Sequence, residues 1–194
     1  MLQRLLFGLI AVTTLTLAGC ANSPQQLSPQ PVLNSQLAPV GQGQPVVVRV
    51  VDGRASSSLG TRGGLYPDTS SVTVTANDVI PRLQAQAEAA VRLLGYTPAQ
   101  NNGNAPVLTV TLASLTYQSP KDSMYVTQAT IGAKFKADVN NNGRHYAGAY
   151  EASLNQRFGM APNAETNTKL ISGVLSDALT RLFQDPSIGH TLGN

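Results

Sequence analysis

Residues 125–158 read YVTQATIGAKFKADVNNNGRHYAGAYEASLNQRF. Their alternation decides the fold. Tyr125, Ala129, Ile131, Ala133, Phe135, Ala137 and Val139 fall on one face of an extended chain, and Gln128, Thr130, Lys134, Lys136 and Asp138 on the other, because successive side chains of a strand point to opposite sides. Beyond Asn142-Gly143, Tyr146, Gly148, Tyr150, Ala152, Leu154 and Phe158 repeat the apolar face. Asn-Gly tolerates the positive φ of a type I′ turn, so the segment reads as a long hairpin. A two-residue turn makes paired positions sum to 285, with Phe135 opposite Tyr150 and Lys134 opposite Glu151. A four-residue turn would lower the sum to 283 and pair Asp138 with His145. Both keep the same side chains inside, so the hydrophobic pattern does not choose. The twist match of Asn-Gly favours 285.

One apolar face needs a cover. Between Ala164 and Phe183, Leu170, Ile171, Val174, Leu175, Ala178, Leu179 and Leu182 form a stripe at helical spacing, with Pro186 ending it. An earlier stripe, Val79, Ile80, Leu83, Ala87, Ala90, Val91 and Leu94, predicts a second helix. Asn77 or Asp78 would cap it, Pro81 would sit in its first turn, and Gly95 would stop it. Val107–Tyr117 alternates as a strand, and QPVVVRVV (44–51) and SVTVTA (71–76) read as two more. The expected order is β-β-α-β-β-β-α. This is an α+β class fold, a single domain over residues 46–186 in which two amphipathic helices pack on one face of an antiparallel sheet. Residues 187–194 are expected to be a flexible tail.

Upstream, residues 22–45 hold five prolines, six glutamines and no charge. Such composition does not bury enough apolar surface to fold alone. Residues 20–45 therefore read as a disordered tether, whose 22–45 stretch would span about 75 Å if fully extended at roughly 3.1 Å per residue. Before it, Arg4 and the uncharged run LLFGLIAVTTLTLA (5–18) have the pattern of a secretory signal. The run is too short to span a bilayer, which takes about 20 apolar residues. Leu17-Ala18-Gly19-Cys20 then resembles the lipobox of bacterial lipoproteins. The resemblance implies cleavage between Gly19 and Cys20, removal of residues 1–19, and acylation of Cys20. It also accounts for the chain's single cysteine: a lipidated sulfur leaves no thiol to mispair in an oxidising compartment. Ala21 and Asn22 follow, without the Asp that retains enterobacterial lipoproteins in the inner membrane. That resemblance implies the outer membrane, facing the periplasm.

Charge excludes little else. The chain has 13 basic and 10 acidic side chains, and charged residues are only 12% of it. Without a basic stripe or stacking aromatics beside one, no nucleic-acid partner is expected. Two histidines lacking grouped cysteines or carboxylates predict no metal site and no cofactor. His145 and Asp138, at a hairpin tip that water reaches, read as a solvated pair, so no catalytic residue is assigned and the chain is expected not to be an enzyme. In the glycine-rich loop after Asp52-Gly53-Arg54, the residues Arg54, Arg62 and Tyr66 are the candidates for contacting a partner.

The lipobox, the Pro/Gln segment, the strand ending Asp52-Gly53-Arg54, the helix ending Leu94-Gly95-Tyr96, the Asn142-Gly143 hairpin and the closing helix together resemble the YajG family of bacterial lipoproteins. The resemblance spans nearly the whole chain and brings no catalytic or binding residues with it. The expected role is a lipid-anchored interaction or accessory module of the cell envelope, with the membrane and another envelope component as partners. The alternative is a binder of a small ligand or glycolipid between sheet and helices, in a cavity lined by Phe135, Tyr150 and Leu175.

Overall fold

A computed structural model describes residues 23–34, 36–63, 67–100, 103–119 and 127–193. Cys20 and Tyr66 lie outside them. The elements are β1 (Gln25–Gln26), β2 (Pro45–Asp52), β3 (Ser58–Thr61), β4 (Ser71–Thr73), α1 (Ala76–Leu93), β5 (Thr97–Ala99), β6 (Val107–Gln118), β7 (Thr127–Asn141), β8 (Arg144–Phe158), α2 (Ala164–Gln184) and α3 (Pro186–Gly193). The chain is a single α+β domain. A five-stranded sheet runs β5-β2-β6-β7-β8, and a small sheet runs β1-β4-β3.

The hairpin takes the expected register. Phe135 faces Tyr150, Ala137 faces Gly148 and Val139 faces Tyr146. Asn142 and Gly143 have φ of 49° and 91°, the positive values that a two-residue turn requires. Lys134 Nζ meets Glu151 Oε1 at 2.6 Å on the open face. Ile131, Phe135 and Val139 are fully buried against the helices.

The large sheet is mixed rather than wholly antiparallel. β2 pairs parallel with both β5 and β6. The chain from β2 to β6 passes through α1, a crossover, and such a connection returns the next strand parallel. β5 covers only Pro45–Val47 of β2. Beyond it the Gln84 carboxamide of α1 substitutes for a strand, accepting from Val50 N at 2.8 Å and donating to Val48 O at 3.0 Å. β6 carries a bulge at Ala113, between the pairs Leu112–Phe135 and Ser114–Lys134. The extra residue moves the inward set from Leu108, Val110 and Leu112 to Leu115 and Tyr117.

Helix ends depart from expectation in three places. Thr75 caps α1, with Asp78 reciprocating as N3 in a capping box, so neither Asn77 nor Asp78 is the N-cap. The helix therefore starts at Ala76 and Pro81 is its sixth residue, past the first turn. Gly95 (φ 89°) does end α1, in a Schellman arrangement with Tyr96 N on Val91 O and Gly95 N on Arg92 O. Finally, residues 186–193 form a docked helix and not a flexible tail. Pro186 stops α2 but opens α3 at N1, where no N–H is needed, and Asp185 Oδ1 accepts from Ser187 N at 2.8 Å. Ile188 and Leu192 are buried, Tyr96 Oη donates to Gly189 O at 2.8 Å, and Asn141 Nδ2 donates to Thr191 O at 2.9 Å.

Candidate functional site

The Pro/Gln segment is a strap bound to the domain. Its inward positions alternate with outward ones: Gln25, Leu27, Pro29 and Pro31 are buried, while Gln26, Ser28, Gln30 and Val32 are exposed. β1 adds it parallel to β4, and Leu27 N continues the pairing to Thr73 O at 2.8 Å. It then runs between α1 and α2, hydrogen-bonded to both. On α2, Ser172 Oγ accepts from Gln30 N (2.8 Å), Ser176 Oγ from Val32 N (2.9 Å) and Thr180 Oγ1 from Asn34 N (3.2 Å). On α1, Asp78 accepts from Ser28 Oγ (2.8 Å), Arg82 Nη1 donates to Pro29 O (3.2 Å) and Gln86 Oε1 accepts from Leu33 N (3.0 Å). The two ladders are commensurate with the strap. Two residues of extended, proline-rich chain advance about 6.2 Å, and four residues of α-helix about 6.0 Å. Hence every second strap amide finds the next hydroxyl one turn along. Proline suits positions 29 and 31, which alternate with the donating amides and need no N–H. At the far end, Val40 N and Gly41 N both donate to Leu94 O, the exposed carbonyl at the α1 terminus.

The start of the strap is held by a buried polar cluster. Arg62, 4% exposed, donates through Nη2 to the carbonyl of Ser23. Asn167, fully buried in the first turn of α2, meets the Gln25 carboxamide at 2.7 Å and accepts from Tyr117 Oη at 3.2 Å. The β6 bulge is what turns Tyr117 toward this cluster. Burial depresses the Arg62 guanidinium and raises the Tyr117 phenol, the latter partly offset by Arg62 and Asn167. Arg62 therefore does not present itself to an external partner. It fixes the chain's own N-terminal segment. Arg54 is likewise engaged, holding Asp52 with Nε–Oδ1 at 2.8 Å and Nη2–Oδ2 at 2.7 Å, its side chain 3% exposed. That hydrogen bond holds the Asp52 carboxyl below the usual range. Both arginines are engaged within the chain.

A second polar cluster joins β8 to the α2–α3 junction. Tyr146 Oη and Tyr150 Oη donate to Asp185 Oδ2 at 2.5 and 2.7 Å and lie 3.1 Å apart. Gly148, between them on the same face, leaves the room: a Cβ there would meet both hydroxyls. Burial pushes the Asp185 carboxyl up, but the two phenols and Ser187 outweigh it and hold it at about 2. Burial first, then Tyr146 and Asp185, push the Tyr150 phenol up. The arrangement is a structural latch, since all three acceptor–donor sets are used internally. Asp138 and His145 meet at 2.7 Å, although the register places His145 opposite Asn140. The contact is diagonal, so it did not need the 283 register. Both are more than half exposed, which leaves nothing to exclude water from them. Among the described residues no three His, Cys, Asp or Glu side chains are grouped to hold a metal ion, and no helix is long and apolar enough to cross a membrane.

Among the described residues, Phe135, Tyr150 and Leu175 do not line a cavity between sheet and helices. Phe135 and Leu175 are fully buried members of one continuous core, and the Tyr150 hydroxyl is tied to Asp185. Two clefts of about 470 and 670 Å³ open to solvent instead, the first beside Ser114, Thr116, Lys134 and Glu151, the second beside Arg49, Gln84 and Glu88.

Part of the strap falls within the reach of a family model. A family model described as an uncharacterized lipoprotein matches residues 31–192, which takes in part of the strap, all of the large sheet and the three helices. The chain belongs to this family, the YajG lipoproteins. No curated protein matches. Among solved structures, a minor lipoprotein from Acinetobacter baumannii is 10% identical over 77% of this chain and 93% of its own, with a TM-score of 0.46. Rare lipoprotein B from Shewanella oneidensis is 11% identical over 73% and 93%, with a TM-score of 0.39. A protein from Xanthomonas campestris is 13% identical over 88% and 94%, with a TM-score of 0.45. Likenesses at this level carry no argument about function.

The groove that holds the strap does not show in any single local periodicity. Its signals are split between two distant segments: leucines at 27, 33 and 37 in an otherwise polar segment, and small hydroxyls at Ser172, Ser176 and Thr180, four residues apart along one side of α2.

Proposed function

We propose that this lipoprotein is anchored through acylated Cys20, with residues 1–19 removed, in the outer membrane facing the periplasm. There it acts as a non-enzymatic accessory module that engages another envelope component. The observation that carries this reading is continuity. The lipobox-like Leu17–Cys20 stands three residues before Ser23, the first residue held by the domain. An acyl anchor and a folded domain joined so closely make a surface-bound module, not a soluble domain on a long leash. A triacylated cysteine exceeds the two-chain threshold for stable anchoring. The exposed face of the sheet, with Lys134, Lys136, Asp138 and Glu151, is the broad polar surface left for a partner.

Fatty-acid labelling of cells followed by mass spectrometry of the mature N-terminus tests the anchor. The expected result is acylated Cys20, lost in Cys20→Ala, in the outer-membrane fraction. A free amine on Cys20 without lipid contradicts the anchor, and recovery in the inner-membrane fraction contradicts the placement. Crosslinking from Lys136 in intact cells tests the partner. A discrete envelope adduct is expected, and a chain that crosslinks to nothing contradicts the accessory role.

A further inference from the structure

The strap fixes which end of the domain the anchor can reach. Three residue steps separate Cys20 from Ser23, at most about 11 Å of fully extended chain. A headgroup layer is itself roughly 5–8 Å thick, the difference between about 40–45 Å and about 30 Å shared by two leaflets. An acylated Cys20 at the bilayer surface therefore leaves only about 3–6 Å of reach beyond the headgroups. The Ser23–Gln25 end must lie against the headgroups.

That end is defined by the contacts around it. Gln25 Nε2 reaches Pro162 O at 3.4 Å, and Pro162 is buried in the turn between β8 and α2. In the same turn Met160 is 83% exposed. The other exposed large apolar side chains among the described residues, Val32, Val40, Val51 and Leu93, are 42–52% exposed and belong to other segments of the chain. A flexible thioether side chain suits a disordered, apolar environment. It stands at the one end that the anchor holds to a lipid surface. The opposite end carries the hairpin turn Asn142-Gly143, across the fifteen residues of β8, roughly 45–50 Å away at about 3.4 Å per residue.

The geometry points to a membrane-docking surface at this end: the β8–α2 turn lies on the bilayer and Met160 enters its interface. The inference rests on the anchor proposed above. It also points the hairpin tip away from the bilayer into the periplasmic space, with the open sheet face standing alongside.

The test uses the lipidated full chain reconstituted in vesicles of phosphatidylethanolamine and phosphatidylglycerol. Because Cys20 is capped by lipid, Met160→Cys or Asn142→Cys gives one labelling site for an environment-sensitive fluorophore. Nitroxide lipids are expected to quench the Met160→Cys label several-fold more than the Asn142→Cys label. The Met160→Cys label should also resist aqueous iodide. Insertion of about twenty Gly/Ser residues after Asn22 adds a coil of roughly 25 Å, and is expected to weaken the difference while acylation persists. Acylated protein with equal quenching at both sites overturns the docking surface and leaves the anchor standing. An unacylated Cys20 by mass spectrometry overturns the anchor and the docking surface together.

Discussion

The hairpin of β7 and β8 and the strap of residues 23–44 are both extended, and they hold the domain together in opposite ways. The hairpin is self-sufficient. Its fifteen-residue strands satisfy each other's backbone, and its turn is set by two adjacent residues. The strap satisfies almost none of its backbone itself. It borrows Thr73 O, three hydroxyls of α2, the Arg82 and Gln86 side chains of α1 and the carbonyl that ends α1. Local patterning therefore specifies the hairpin, whereas partners some 140 residues away specify the strap. The difference also has a functional side. Because the strap is committed to the domain, the fold begins at Ser23, three residues after Cys20, and not some 24 residues later.

The comparison breaks most visibly on deletion. Removing residues 23–44 strips Leu27 from the core and leaves the groove between α1 and α2 open. The chain beginning at Pro45 is expected to lose more than about 5 kcal/mol, several core truncations' worth, in urea unfolding followed by circular dichroism. An unchanged midpoint would restore the strap to a passive tether. On this account a fragment of residues 46–186 is not an autonomous domain, because it lacks both the strap and α3.

Matched truncations sharpen it. Leu27 is 1% exposed and Leu175 fully buried. Leu27→Ala and Leu175→Ala are each expected to cost about 2–5 kcal/mol, although one lies in a proline-rich segment and the other in the middle of a helix. A Leu27→Ala effect within experimental error of zero, beside a large Leu175→Ala effect, would separate the strap from the core.

Much of the hairpin side was legible because its signals are local. Period two and Asn-Gly fixed the turn, the register and the Lys134–Glu151 pair. The bulge at Ala113 was written in the three-residue spacing of Leu112 and Leu115, which breaks an alternation of two. The parallel placement of β2 followed from the crossover through α1, a topological fact that strand patterns alone do not display. The strap and α3 were not legible for a different reason. An extended proline-rich chain makes no hydrogen bonds to itself, so composition reads alike whether it is free or docked. Pro186 signals a stop, yet Asp-Pro-Ser is also a start, with Asp185 as cap and proline at N1. A loop position usually leaves an arginine exposed; Arg62 is buried where it meets the strap's carbonyl at Ser23.

The latch at Asp185 gives a smaller, pH-dependent effect on the hairpin side. Asp185→Asn weakens the charged acceptor of two phenols and is expected to cost about 1.5–3 kcal/mol at neutral pH. The folded carboxyl titrates at about 2 and an unfolded one near 3.9. A depressed folded pKa stabilises above the unfolded value and is lost as pH falls through the folded one. The gap between wild type and Asp185→Asn should therefore close from about pH 4 toward pH 2. A gap independent of pH over that range would mean the carboxylate charge is not what the tyrosines hold.

Amide hydrogen exchange on the acylated or unacylated mature chain tests the central claim most directly. Gln30, Val32 and Asn34 donate to Ser172, Ser176 and Thr180, so their amides are expected to exchange far more slowly than those of an unstructured segment. Substituting Ser172, Ser176 and Thr180 together by Ala should release them while Phe135 and Tyr150 in the hairpin stay protected. Exchange of the three strap amides at random-coil rates in the unsubstituted protein, beside a protected hairpin, would contradict the account.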